Sequence, residues 1–204
     1  MVSGKIKISI TILTIFVAVL MGCSENKEGK LIKAVNNYYE RFQPLNKGET
    51  KIFAIKPFKN QYLVLAEKYR GDGHNYTYLF LIDQKFNVTK YVTGYRPTSA
   101  CFEVNRLEYE SNTILFGDFI DSKWVESDMR QAVKLDKIFV EFKDGVKYEE
   151  SVSMDKGYII VENTLSDVKI VNLYNDKGEL QSNLEDLRKF RRNIINDTDF
   201  INVS

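Results

Sequence analysis

The chain has 204 residues, with 29 lysines and arginines against 28 aspartates and glutamates, a formal net charge of +1, and 44% hydrophobic residues. That balance excludes the strongly basic surface a nucleic acid or other polyanion would select, and the apolar content excludes a disordered stalk. Twelve tyrosines and thirteen phenylalanines against three prolines point to an ordered, sheet-rich fold.

Taken in chain order, Lys5 and Lys7 precede an apolar run from Ile8 to Leu20, and Gly22 stands directly before Cys23. A positive start, a short apolar segment and a small residue form a secretory signal, and the run is short of the about 20 residues a membrane span needs. Leu20-Met21-Gly22-Cys23 resembles the lipobox of bacterial lipoproteins. The resemblance implies that the Cys23 thiol receives a diacylglyceryl group and becomes the new N-terminus on the extracytoplasmic face of the cell membrane. Two acyl chains anchor stably, at about 0.8 kcal/mol per buried methylene. The alternative, an uncleaved N-terminal anchor, puts the domain on the same side. The expected organisation is a signal peptide over 1–22, a lipidated tether over 23–29 and a single β-rich domain over 30–204. Removing 22 of 204 residues leaves 182, enough for one core, with 27 basic and 28 acidic residues.

From Leu31 the period is helical: Val35, Tyr38 and Phe42 share its line, and Lys33, Asn36, Asn37, Glu40 and Arg41 take the other face. Pro44 ends the pattern. From Lys51 to about Tyr174 the period is two. Strands are expected around Ile52–Ala54, Tyr62–Ala66, Tyr76–Ile82, Val88–Thr93, Thr113–Phe119, Lys137–Phe142, Val146–Glu150, Tyr158–Glu162 and Val168–Tyr174. Arg70-Gly71-Asp72-Gly73 and Asp144-Gly145 are hairpin turn signals. A weak repeat of apolar strand, acidic turn and polar strand invites a propeller, but Asp83, Asp144 and Asp176 are unevenly spaced and the chain is short for four blades. Ser182 and Glu185 have capping-box spacing before Leu184, Leu187, Phe190, Ile194 and Ile195, which predicts a C-terminal helix with a basic flank of Arg188, Lys189 and Arg192. The fold class is therefore α+β and sheet-dominated: an antiparallel meander or open sandwich with an N-terminal and a C-terminal helix.

Chemistry is sparse. His74 is the only histidine, so a multi-histidine metal site is excluded, and its Gly73 and Asn75 neighbours mark a turn. Cys101 is the only cysteine besides Cys23, which excludes a disulfide if Cys23 carries lipid; within Ala-Cys-Phe it reads as a buried hydrophobe, with a reactive thiol as the alternative. Ser-x-x-Lys occurs at Ser24, Ser153 and Ser166 without the helix start or partner motifs its chemistry needs. Asp118, Asp121, Glu126 and Asp128 surround Trp124; their spacing is not that of a calcium loop, so they read as solvated acids. Trp124 is a core residue or, if exposed beside Tyr95 and Tyr109, an anchor for a ligand or partner. The basic flank of the last helix is a candidate lipid contact. No catalytic residue, metal ligand or cofactor is assigned. The expectation is a lipid-anchored binding module for an envelope protein or glycan; the alternatives are an envelope hydrolase built around His74 or converging carboxylates, and a structural or immunity-type lipoprotein.

Overall fold

The computed structural model describes residues 27–43, 48–68, 76–126, 129–153, 156–189 and 194–203. Cys23, the Arg70–Gly73 turn, His74, Asp128, Phe190 and Arg192 lie outside them, as does Pro44. The fold is sheet-dominated and almost wholly antiparallel.

The first helix, α1, is described over 27–42, so Lys27, Glu28 and Gly29, expected in the tether, belong to it. Its buried stripe is Leu31, Ala34, Val35, Tyr38 and Tyr39, while Phe42 is 40% exposed. The stripe is thus rotated toward Tyr39, because Tyr39 meets Tyr78 and Phe80 edge-on at ring distances of 5.7 and 5.6 Å.

Four strands follow as a meander: β1 (Thr50–Phe58), β2 (Gln61–Lys68), β3 (Tyr76–Asp83) and β4 (Val88–Tyr95). The sheet is completed at its far edge by β15 (Ile201–Asn202), from the other terminus. Alternation along β2 and β3 divides their side chains between two cores. Tyr62, Val64, Ala66, Tyr78, Phe80 and Ile82 face α1. Leu63, Leu65, Leu79 and Leu81 face Leu107, Ile114, Phe116 and Ile159 of a second sheet. Cover on both faces is why these strands are continuous apolar runs.

The second sheet has the order β11 (Gly157–Glu162), β6 (Asn112–Asp118), β5 (Asn105–Tyr109) and β14 (Asn196–Thr198), the last parallel to β5. The third runs β10 (Lys147–Ser151), β9 (Lys137–Phe142), β12 (Val168–Tyr174) and β13 (Leu180–Asn183). Ile138, Val140, Phe142, Val171 and Leu173 of the third sheet pack with Leu115, Tyr158 and Ile160 of the second. The molecule is therefore a stack of helix, sheet, sheet and sheet, in place of one long meander. A two-stranded arm, β7 (Ser122–Trp124) and β8 (Arg130–Ala132), stands beside it.

Gly157 marks a close approach of the first two sheets. A Cβ there would lie 2.5 Å from the Gly117 carbonyl oxygen and 2.7 Å from Leu65 Cδ2. The β9–β10 hairpin turns on Gly145, at φ +93°. Within the described residues the C-terminal helix is short, α2 (Leu184–Arg188). Its cap is Asn183, whose side chain accepts from the Glu185 amide; Ser182 Oγ instead donates to Asp186 Oδ2 at 2.6 Å, so the expected capping box does not form.

Candidate functional site

Strand direction sorts the polar chemistry into two ends of the stack. One end carries the β1–β2, β3–β4 and β5–β6 turns. Lys59 Nζ reaches from the first to Glu110 Oε2 in the third at 2.7 Å, and Phe58 faces Tyr109 at 6.1 Å. The start of α1 docks here: Lys27 Nζ lies 4.4 Å from the Tyr62 ring centre, and Lys30 Nζ 5.2 Å from that of Phe86. The two rings stack on each other at 6.5 Å. Asp83 fixes the β3–β4 turn by accepting from the Lys85 and Asn87 amides at 2.9 and 2.8 Å. Burial works against its charge, but these donors outweigh it and hold the carboxyl below its usual range.

The other end gathers the last residues of β4 and β6. Asn105 holds Tyr95 at both backbone groups, accepting from its amide at 2.8 Å and donating to its carbonyl at 3.1 Å. Next to it Arg96 donates from Nε to Asp118 Oδ2 at 2.6 Å and pairs through Nη1 with Glu67, its guanidinium 5.7 Å from the Phe53 ring. The Asp118 side chain has no exposed surface, and Oδ1 has no hydrogen-bond partner among the described residues. Burial pushes its carboxyl up to about 6; Arg96 works in the opposite direction and loses. A pKa near neutrality is what acid–base chemistry uses, but a carboxyl without accessible surface cannot touch a substrate. This cluster ties β2, β4 and β6 together.

Trp124 belongs to the same end through backbone bonds: its amide donates to the Ser99 carbonyl at 2.8 Å, and Arg130 Nη2 donates to Thr98 O at 3.0 Å. It is half-buried, neither core nor free in a loop, with the Arg130 guanidinium 4.9 Å from its ring. Tyr95 and Met129 are 55% and 50% exposed. Tyr109 is elsewhere. It ends the strand that Asn105 begins, about 13 Å along by strand rise, and packs on Phe58 and Phe200 at the turn end. The expected trio of aromatic contacts is thus split, Tyr95 and Trp124 on one side, Tyr109 on the other.

A cleft of about 490 Å³ runs along the open edge of β1, between α1 and the residues entering β11. Leu31, Ile52, Phe53, Ile55 and Pro57 line it, with Lys27 and Lys156 among its polar groups. A β-bulge at Ile52/Ala54 shapes it, sending Phe53 into the inter-sheet core and Ile52 and Ile55 toward α1. No sequence signal marked this cleft, since a bulge leaves the apolar pattern of a strand nearly unchanged.

Cys101 is fully buried, and burial raises its thiol pKa, with a hydrogen bond to Ser182 opposing weakly. Beneath it Lys123 Nζ donates to Asp186 Oδ2 at 2.8 Å and to the Gln181 carbonyl at 2.5 Å. The lysine amine is engaged by both partners and is not directed at the thiol or at Ser182. Asp121 and Glu126 are exposed, and among the described residues no group of three or more His, Cys, Asp or Glu side chains converges to hold a metal ion. Arg188 and Lys189 pair with Glu185 and Asp186 of their own helix, and Lys123 of β7 pairs with Asp186 too. The candidate lipid-contacting flank therefore sits beside the Trp124 arm, away from the start of α1. No family model, curated protein or solved structure matches this chain.

Proposed function

We propose that this protein is a lipid-anchored extracytoplasmic binding module, tethered by a diacylglyceryl group on Cys23 and offering its Tyr95 and Trp124 end to a protein or glycan of the cell envelope. On this reading the domain is an open sandwich bracketed by a helix near each terminus. The carrying observation is one of polarity: Lys27 of α1, four residues after Cys23, lies at the turn end, while the exposed Tyr95 and Arg130 and the half-buried Trp124 lie at the other. Aromatic and arginine side chains are the residue types that carry most binding energy at protein surfaces. Support also comes from the lipobox resemblance and from the buried, guanidinium-occupied state of the one strongly raised carboxyl among the described residues.

The test is saturation binding of the protein to envelope fractions, compared with Trp124→Ala and Tyr95→Ala. Loss of a hot-spot side chain costs about 2 kcal/mol, so affinity is expected to fall roughly thirtyfold in at least one variant. Binding that never saturates, or that both variants leave untouched, refutes the assignment of this end.

A further inference from the structure

The edges of the three sheets are guarded unequally. A strand edge offers unpaired N–H and C=O groups, and folds blunt it with proline, a bulge, short length, charge or a covering side chain. β1 carries the Ile52/Ala54 bulge and Pro57. β11 has its Ile159 carbonyl taken by Lys56 Nζ at 2.8 Å, and β13 has its Gln181 carbonyl taken by Lys123. β14 and β15 have only three and two residues. β10 is guarded by charge alone. It runs in regular register against β9 over Lys147–Ser151, and among the described residues no strand pairs with its other side.

The bonds at either end of this hairpin fix which groups are free. The Phe142 amide donates to the Val146 carbonyl at 2.9 Å, and the Val152 amide to the Asp136 carbonyl at 2.7 Å. Bonded and non-bonded pairs alternate along an antiparallel ladder. Between those ends, Tyr148 and Glu150 therefore turn their backbone groups to β9, and Lys147 and Glu149 turn theirs to the open side.

The side chains of this edge are complementary to their own copy. With a second β10 laid antiparallel and Tyr148 on the twofold axis, Lys147 falls opposite the partner's Glu149 and Glu149 opposite the partner's Lys147. Each of these pairs exchanges both main-chain hydrogen bonds. Within its own sheet Lys147 stands 3.6 Å from Glu141, and Glu149 stands 3.2 Å from Lys137. The junction thus runs Glu141, Lys147, the partner's Glu149, the partner's Lys137, with alternating sign. The Lys147 and Glu149 side chains are 61% and 59% exposed, which leaves room for the added contact. On the inner face the half-buried Tyr148, its ring 5.9 Å from that of Phe142, meets the partner's Tyr148. Aromatic and opposite-charge pairs both favour strand pairing. Sliding the register by two residues sets Glu149 against the partner's Glu149, or Lys147 against the partner's Lys147, so charge selects one register.

We propose that two copies of this chain pair through β10, antiparallel and in this register, and join their third sheets into one continuous sheet. The occupant of the edge is a second copy because a twofold contact must be self-complementary, and this edge is.

The test uses the full chain, with two differently tagged copies produced in the same cell. Residues of a bonded pair have Cα atoms about 5.5 Å apart, within disulfide range. Lys147→Cys in one copy and Glu149→Cys in the other are expected to cross-link under mild oxidation, whereas either variant alone is not; a chain without added cysteine is the blank. Co-capture of the two tags reads the charges. Lys147→Glu in both copies, or Glu149→Lys in both, is expected to lower it about tenfold. Lys147→Glu in one copy with Glu149→Lys in the other is expected to restore it, since every opposed pair is then again of unlike sign. Absence of co-capture between unaltered copies, co-capture that the charge variants leave unchanged, a mixed pair no better than either variant alone, or Lys147→Cys cross-linking with itself overturns the proposal. Circular dichroism of each variant confirms that it is folded.

Discussion

Asp118→Asn is the perturbation whose outcome the structure constrains most tightly. Burial raises the Asp118 carboxyl from its ordinary value of 3.8 to about 6 even with Arg96 Nε at 2.6 Å. Between those two values the folded state holds a proton that the unfolded state has released. Stability therefore declines as pH rises through the window, by about 2–3 kcal/mol between about pH 4 and pH 7. The groups held below their usual range, among them Glu141, Asp144, Asp167 and Asp186, act in the opposite direction, but their stabilisation is lost only as pH falls through their lower folded-state pKa values. Asparagine keeps the shape and an acceptor oxygen for Arg96 without charge. Its stability is expected to be flatter across the window, and the gap between variant and wild type to shift by about 2–3 kcal/mol in the variant's favour by pH 7. Urea unfolding followed by the fluorescence of Trp124, the single tryptophan, reads this at a series of pH values. A wild-type stability that rises from pH 4.5 to 7, or a variant with the same slope, refutes the argument that desolvation outweighs the ion pair.

Other outcomes follow from packing. Gly157→Ala drives a Cβ against the Gly117 carbonyl and Leu65 and is expected to cost about 2–3 kcal/mol, whereas Gly145→Ala meets open space and pays only for its φ of +93°, about 1 kcal/mol; thermal denaturation of both variants checks the order. Cys101, buried with a raised pKa, is expected to react with a thiol reagent only as fast as the protein opens, so its modification rate should follow urea concentration. A fast reaction in the absence of urea contradicts its burial.

Much of the sheet was legible because it is covered on both faces. Tyr62–Ala66 and Tyr76–Ile82 read as strands since α1 and the second sheet together bury nearly all of their side chains, Tyr76 only in part. β5 was missed although Asn105 and Leu107 alternate with Arg106 and Glu108, because its polar inward residue, Asn105, is buried by hydrogen bonds to Tyr95 and Phe116 and not by hydrophobicity. β14 and β15 carry no pattern at all; their place is set by pairing with β5 and β4 across the whole chain. The same nonlocality explains the sites. Arg96, Glu67 and Asp118 meet only through strand order, and Tyr109 parts from Tyr95 because the two occupy opposite ends of the stack, on strands of different sheets.

Intact mass analysis of the N-terminal peptide from protein extracted out of native membranes addresses the proposed anchoring most directly. The account predicts a chain beginning at Cys23 and carrying a diacylglyceryl group on its sulfur. A chain that keeps Met1, or a Cys23 free of lipid in protein that remains soluble, contradicts it.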